Sequence, residues 1–119
     1  MKLVIYSIGT GMHHNIRTWE PDDPDVIAAI FRLEIGFNAR KGTDMFTIRV
    51  ATPLGLSTLE DNDGIIADRP LLVMRRYDFD SLMKWVNKTV AYCEAETWDE
   101  CVENLRLFFN WEFDDYVEY

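Results

Sequence analysis

Two runs of alternating residues, separated by a short polar turn, constrain this chain more than any other feature in it. In VIAAIFRLEIGF (26–37), Ile27, Ala29, Phe31, Leu33, Ile35 and Phe37 fall on one face, and the other face turns polar at Arg32 and Glu34. In DMFTIRVAT (44–52), Phe46, Ile48 and Val50 point one way, Thr47 and Arg49 the other. A period of two, carried by β-branched and aromatic residues, marks a half-exposed strand. The segment between them, NARKGT (38–43), is a turn with a basic tip at Arg40 and Lys41, so the pair predicts a β-hairpin. Its apolar face must be buried against another layer.

Two predicted helices supply that layer. From about Asp80 to Cys93, Leu82, Trp85, Val86, Thr89, Val90 and Cys93 recur at helical spacing, with Lys84 and Lys88 facing away. TWDE (97–100) reads as a capping box: the Thr97 hydroxyl takes a backbone N–H while Glu100 reaches back to another. After it, Trp98, Cys101, Val102, Leu105, Phe108 and Phe109 form a buried face, and Asp99, Glu100, Glu103 and Arg106 an exposed one.

The rest of the chain fits around this plan. LVIYSI (3–8) and LLVMRRY (71–77) read as further strands, the second exposing Arg75 or Arg76. WEPDDPD (19–25) is a loop, because two prolines break either regular structure, and Trp19 is expected to fold back onto the body. Thr52-Pro53 opens a short helix, LGLSTLE, stopped by DNDG (61–64). The tail WEFDDYVEY alternates, as in a short terminal strand or an extended segment pressed to the body. The expected fold is one α+β domain over residues 1–119: an antiparallel sheet of about four strands, with a short fifth if the tail pairs, and two C-terminal helices on one face.

Composition narrows the function. The opening MKLVIYSIGTGMHH alternates like a strand and lacks a signal peptide's cleavage site, and no apolar stretch is long enough to cross a bilayer. The expectation is a cytoplasmic protein without membrane partners. Cys93 and Cys101 fall on apolar sides of their segments and read as buried reduced thiols. His13 and His14 are adjacent, so on an extended chain they point apart and read as an exposed loop pair. No metal or cofactor is expected. Ser7, Ser57 and Ser81 sit in no nucleophile elbow, the GTG triplet is not a dinucleotide fingerprint, and there is no phosphate loop. The chain therefore reads as a binding protein, not an enzyme.

Charge says more. Of the net −9, the segment from Glu94 to Tyr119 carries nine acids against one base, Arg106. Such a surface repels phosphate backbones, which excludes nucleic acid as a direct partner. It attracts a basic protein and speeds encounter with it; as a solvated face it also keeps the chain soluble.

The order of these features resembles the immunity protein 8 family of bacterial polymorphic toxin systems. The shared features are the N-terminal strand, the Trp19-Glu20-Pro21 loop, the strand ending in Thr52-Pro53 and the Arg76-Tyr77-Asp78 closure. The sharpest are Glu96-Thr97-Trp98-Asp99-Glu100 and the terminal Trp111-Glu112-Phe113-Asp114-Asp115-Tyr116. The resemblance implies a small cytoplasmic protein that neutralises a contact-delivered or secreted toxin encoded beside it, often a nuclease. The expected partner is that cognate toxin domain, basic in charge, bound by a monomer or weak dimer. Trp98, Trp111, Phe113 and Tyr116 are expected to anchor core and tail. The candidate contacts are the carboxylates opposite them: Asp99, Glu100, Glu103, Glu112, Asp114, Asp115 and Glu118. The basic hairpin tip is the other candidate surface. An acidic adaptor for a different basic protein and a small enzyme without recognisable motif remain as rival readings.

Overall fold

A computed structural model describes residues 1–38 and 42–115, the side chain of Asp115 excepted. The hairpin forms where the alternation placed it. Strand β2 (Ala28–Gly36) pairs antiparallel with β3 (Asp44–Ala51), in a register that sets Phe31 opposite Ile48 and Leu33 opposite Phe46. These four side chains are buried, as alternation on a one-sided sheet requires. Arg40 and Lys41, the expected basic tip, lie outside the described residues.

Strand β1 (Val4–Thr10) runs antiparallel along the other side of β2, with a register shift between Ile5 and Ser7. Strand β4 (Leu71–Val73) joins β3 in parallel, giving the order β1-β2-β3-β4. A parallel neighbour requires a crossover, and residues 52–70 provide it. The strand expected over 71–77 is shorter than its sequence suggested: it ends at Val73, and the exposed Arg75 and Arg76 lie beyond it. Arg76 instead reaches Asp25 at 3.5 Å.

The expected helix at LGLSTLE is a 3-10 segment, Gly55–Leu59. Thr52, fully buried, anchors it. Its hydroxyl oxygen accepts from the Ile27 N–H at 2.9 Å and the Gly55 N–H at 3.2 Å, and its proton goes to the Asp25 carbonyl at 2.6 Å. One side chain thus joins the entry to β2 with the exit from β3. Thr52→Val keeps the shape but leaves two buried N–H groups and the part-buried Asp25 carbonyl without this partner, so it should cost about 3 kcal/mol in urea unfolding.

Helices α1 (Phe79–Tyr92) and α2 (Trp98–Leu105) cover the inner face of the sheet. Leu82, Val86 and Val90 from α1, with Cys101, Val102 and Leu105 from α2, share one core with Phe31, Leu33, Ile35, Phe46, Ile48 and Val50. Lys84 and Lys88 are exposed, as the helical stripe required. Helix α2 stops at Leu105, earlier than the apolar pattern suggested; Phe109 is still buried, reached through a turn, and meets Trp85 edge-on at 5.9 Å. Trp19 does fold back, making edge contacts with Phe31 at 5.7 Å and Tyr77 at 5.0 Å.

Both cysteines are free and buried. Burial, and secondarily the neighbouring Cys101, pushes the Cys93 thiol up to about 11 from 9.0. Neither thiol should react with iodoacetamide at neutral pH until the protein unfolds. A raised thiol favours the folded state fully below the unfolded value of 9.0, and that contribution is lost as pH rises towards about 11.

Candidate functional site

The acidic segment begins at the cap of α2. Thr97 has extended backbone, and its hydroxyl oxygen accepts the Glu100 N–H at 3.2 Å. The reciprocal bond differs from the expected capping box. The Glu100 carboxylate takes the Thr97 hydroxyl proton at 3.1 Å, where a backbone N–H was expected. Asp99 and Glu100 still sit in the first turn, where the positive end of the helix favours carboxylates. With Cys101, Val102 and Leu105 turned inward, helical geometry leaves Asp99, Glu100 and Glu103 exposed on the opposite side.

Two bonds hold this helix to the turn that follows α1. The Ala95 N–H donates to Cys101 Sγ at 3.2 Å, and Asn104 Nδ2 donates to the Cys93 carbonyl at 3.2 Å. Glu94, also within the acidic stretch, accepts the Leu3 N–H at 2.6 Å and so ties α1 to the start of β1.

After α2 the chain returns to the sheet. Strand β5 (Asn110–Trp111) pairs antiparallel with β3, setting Trp111 opposite Phe46. The Trp111 indole N–H donates to the carboxylate of Asp44 at 3.0 Å, and Asp44 is only 4% exposed. The Arg106 guanidinium lies 5.8 Å from the Trp111 ring. It also forks onto Asp114, with Nε at 3.0 Å from one carboxylate oxygen and a terminal nitrogen at 2.7 Å from the other. Paired geometry of this kind gives direction as well as attraction.

The tail therefore departs from the expected alternation. Its strand lasts two residues, and Glu112–Asp115 then coils as a 3-10 segment, which breaks the strict alternation. Phe113 rests edge-on against Trp111 at 5.0 Å but is 48% exposed; Trp111 is the anchor, and Phe113 a lid on it. Of the candidate contacts, Asp99, Glu100 and Glu103 are exposed together on α2, while Glu112 is half-buried. Asp114 is turned towards Arg106. The Asp115 side chain, Tyr116 and Glu118 lie outside the described residues.

Sequence reasoning missed the pair that orders this tail, Arg106–Asp114 and Trp111–Asp44. Both had a signal. Arg106 is the one base among nine acids, and Asp44 shares the inward parity of Phe46, Ile48 and Val50. A carboxylate in an apolar row needs a donor.

These features define a small α+β domain that displays its charge on ordered surface elements. Among the described residues, no helix is long and apolar enough to cross a membrane. Residues 3–116 match the family described as Immunity protein 8. The chain belongs to that family, which makes it an immunity protein whose partner is a cognate toxin. No curated protein and no solved structure matches it.

Proposed function

We propose that the chain neutralises its toxin by laying the acidic surface of α2 and the 112–115 segment against a basic toxin domain. A nuclease is the target that fits best, because an anionic surface can occupy a cleft built for phosphates. One observation carries this reading: the excess negative charge is concentrated after residue 93, and its single base, Arg106, is engaged by Asp114. Asp99, Glu100 and Glu103 are left on a capped helix, which presents them in a fixed arrangement. Carboxylates held in place lose little freedom on docking, whereas a loose acidic tail must be ordered first.

Co-expression with the toxin domain encoded by the neighbouring gene, scored for cell survival, tests the function. Calorimetry of the purified pair tests the surface: affinity should fall about tenfold as ionic strength rises from ~0.05 to ~0.5 M. Salt-independent binding would remove the acidic surface from the interface. Death of cells expressing both proteins would remove the immunity reading itself.

A further inference from the structure

Half of the twelve bases in this chain of net charge −9 gather around one groove: Arg69, Arg75, Arg76, Lys84, Lys88 and Arg106. The groove runs between β4 and α1 and consists of two cavities of about 540 Å³ each. One is lined by Arg69, Leu71, Leu72, Trp85, Arg106 and Phe108 among others. The other is lined by Leu72, Met74, Arg75, Arg76, Ser81 and Trp85 among others. They share Leu72 and Trp85 and so are continuous. Along α1, Ser81, Trp85, Lys88 and Tyr92 are spaced four, three and four apart, which places them on one helical stripe. Ser81 and Trp85 line the groove, and Tyr92 meets Phe108 edge-on at 6.2 Å, so Lys88 lies on this side too. Lys84, one turn before Lys88, borders it.

Two of these cations are engaged, Arg76 by Asp25 and Arg106 by Asp114. Among the described residues, Arg69, Arg75, Lys84 and Lys88 have no carboxylate partner. The floor between them is apolar. Leu71, Leu72, Trp85 and Phe108 are half-buried, while Tyr92 and Leu107, at the Phe108 end, are 76% and 74% exposed. An exposed apolar patch rimmed by polar groups marks an interaction site, and tryptophan, tyrosine and arginine carry most of the binding energy at such sites. Charge selects the occupant: unpaired cations over an apolar floor fit carboxylates set beside apolar side chains. A second copy docked through the same face would set these cations against each other. Position selects the partner. Arg106 caps the end of α2, lines the groove and holds Asp114, so the groove adjoins the acidic surface. A protein contact covers about 800 Å² a side, roughly 30 Å across, whereas α2 is about 12 Å long. A toxin laid on α2 therefore reaches the groove.

Resting on the immunity reading, we propose that this groove is a second toxin contact, made to a segment of the toxin that carries carboxylates beside apolar side chains. The carboxylates pair with Arg69, Arg75 and Lys88, and the apolar side chains lie on Leu71, Trp85 and Phe108. Adjoining surfaces of opposite charge fix the orientation of the toxin, which one acidic surface does not, and they reject a partner that is basic throughout.

The test uses the full chain with the toxin domain from the neighbouring gene. A carbodiimide joins an amine to a carboxylate only where the two touch. In the complex it should link Lys84 or Lys88 to an aspartate or glutamate of the toxin, read by mass spectrometry. In calorimetry, Arg69→Glu with Lys88→Glu should weaken binding about 30-fold. Tyr92→Ala with Leu107→Ala should weaken it about tenfold, and Lys2→Glu, outside the groove, by less than about threefold. All five side chains are exposed, so these variants keep the fold. Binding by the wild-type chain that leaves Lys84 and Lys88 unlinked, or that the double charge reversal matches, would overturn the groove proposal and leave the immunity reading intact. Links from Lys84 or Lys88 to a second copy, in the chain without toxin, would place that copy in the groove and also overturn it. So would a single-stranded oligonucleotide that binds the wild-type chain and not the charge-reversed variant. Failure of the toxin domain to bind the wild-type chain would overturn both readings.

Discussion

Asp99→Lys, Glu103→Lys and Glu112→Lys together should abolish protection against the toxin while leaving the fold in place. The choice of residues follows from the geometry. Glu100 is spared because its carboxylate bonds Thr97 at the helix cap, and Asp114 because it receives the Arg106 fork. Two opposite charges in contact through water attract by about 1 kcal/mol at 4 Å, and reversing one turns attraction into repulsion. Three reversals, screened at physiological salt, sum to about 3 kcal/mol, or roughly a hundredfold in affinity. Most of that loss should appear in the association rate, since long-range charge acts before contact. Circular dichroism should change little, and the unfolding midpoint should fall modestly: Asp99 gives up its favourable place in the first turn of α2, about 1 kcal/mol, whereas the exposed Glu103 contributes about 0.5 kcal/mol or less. A folded triple variant that still protects cells fully would place the interface elsewhere.

Trp111→Ala should be the most damaging single change in the 110–115 segment, at about 3 kcal/mol in chemical denaturation. Three losses coincide there: the ring's packing, the indole N–H held by the nearly buried Asp44, and the platform beneath Arg106. Trp111→Phe separates them. It keeps most of the apolar surface and removes the N–H donor, so it should cost about 1.5–2 kcal/mol, the range for a hydrogen bond to a charged acceptor. Equal effects of the two substitutions would mean that the hydrogen bond carries the whole contribution. If the acidic surface docks the toxin, Trp111→Ala should also weaken binding at a temperature where the variant remains folded. The tail carboxylates would then have to be ordered on association, a cost of about 0.5–1.5 kcal/mol per side chain.

The fold was legible in the sequence wherever one periodicity held over many residues. The alternation of 26–37 and 44–52, and the helical stripe from Leu82 to Cys93, each report a continuous buried face, and each appeared where expected. Short elements were less legible. The LGLSTLE segment closes as a 3-10 turn around the Thr52 hydroxyl, and β4 ends after three residues. In such segments a few long-range bonds outweigh intrinsic preference. The exposure of Asp99, Glu100 and Glu103 was legible, because helix capping and an apolar stripe together determine which side of α2 faces water.

The sequence by itself determined the composition of each face: apolar residues for the sheet's inner side and the helices, and carboxylates for the outer side of α2. It also determined that the negative charge would gather in the last fifth of the chain. Tertiary structure alone decided how that charge is distributed. Glu94 is drawn to Leu3, and Asp114 to Arg106. Trp111 is pinned by an aspartate 67 positions earlier in the chain, while Asp99, Glu100 and Glu103 remain exposed. The physical reason is the range of each signal. Burial of a face repeats locally along the chain, so sequence period reports it; ion pairs, indole bonds and strand edges join residues that only the folded chain brings together.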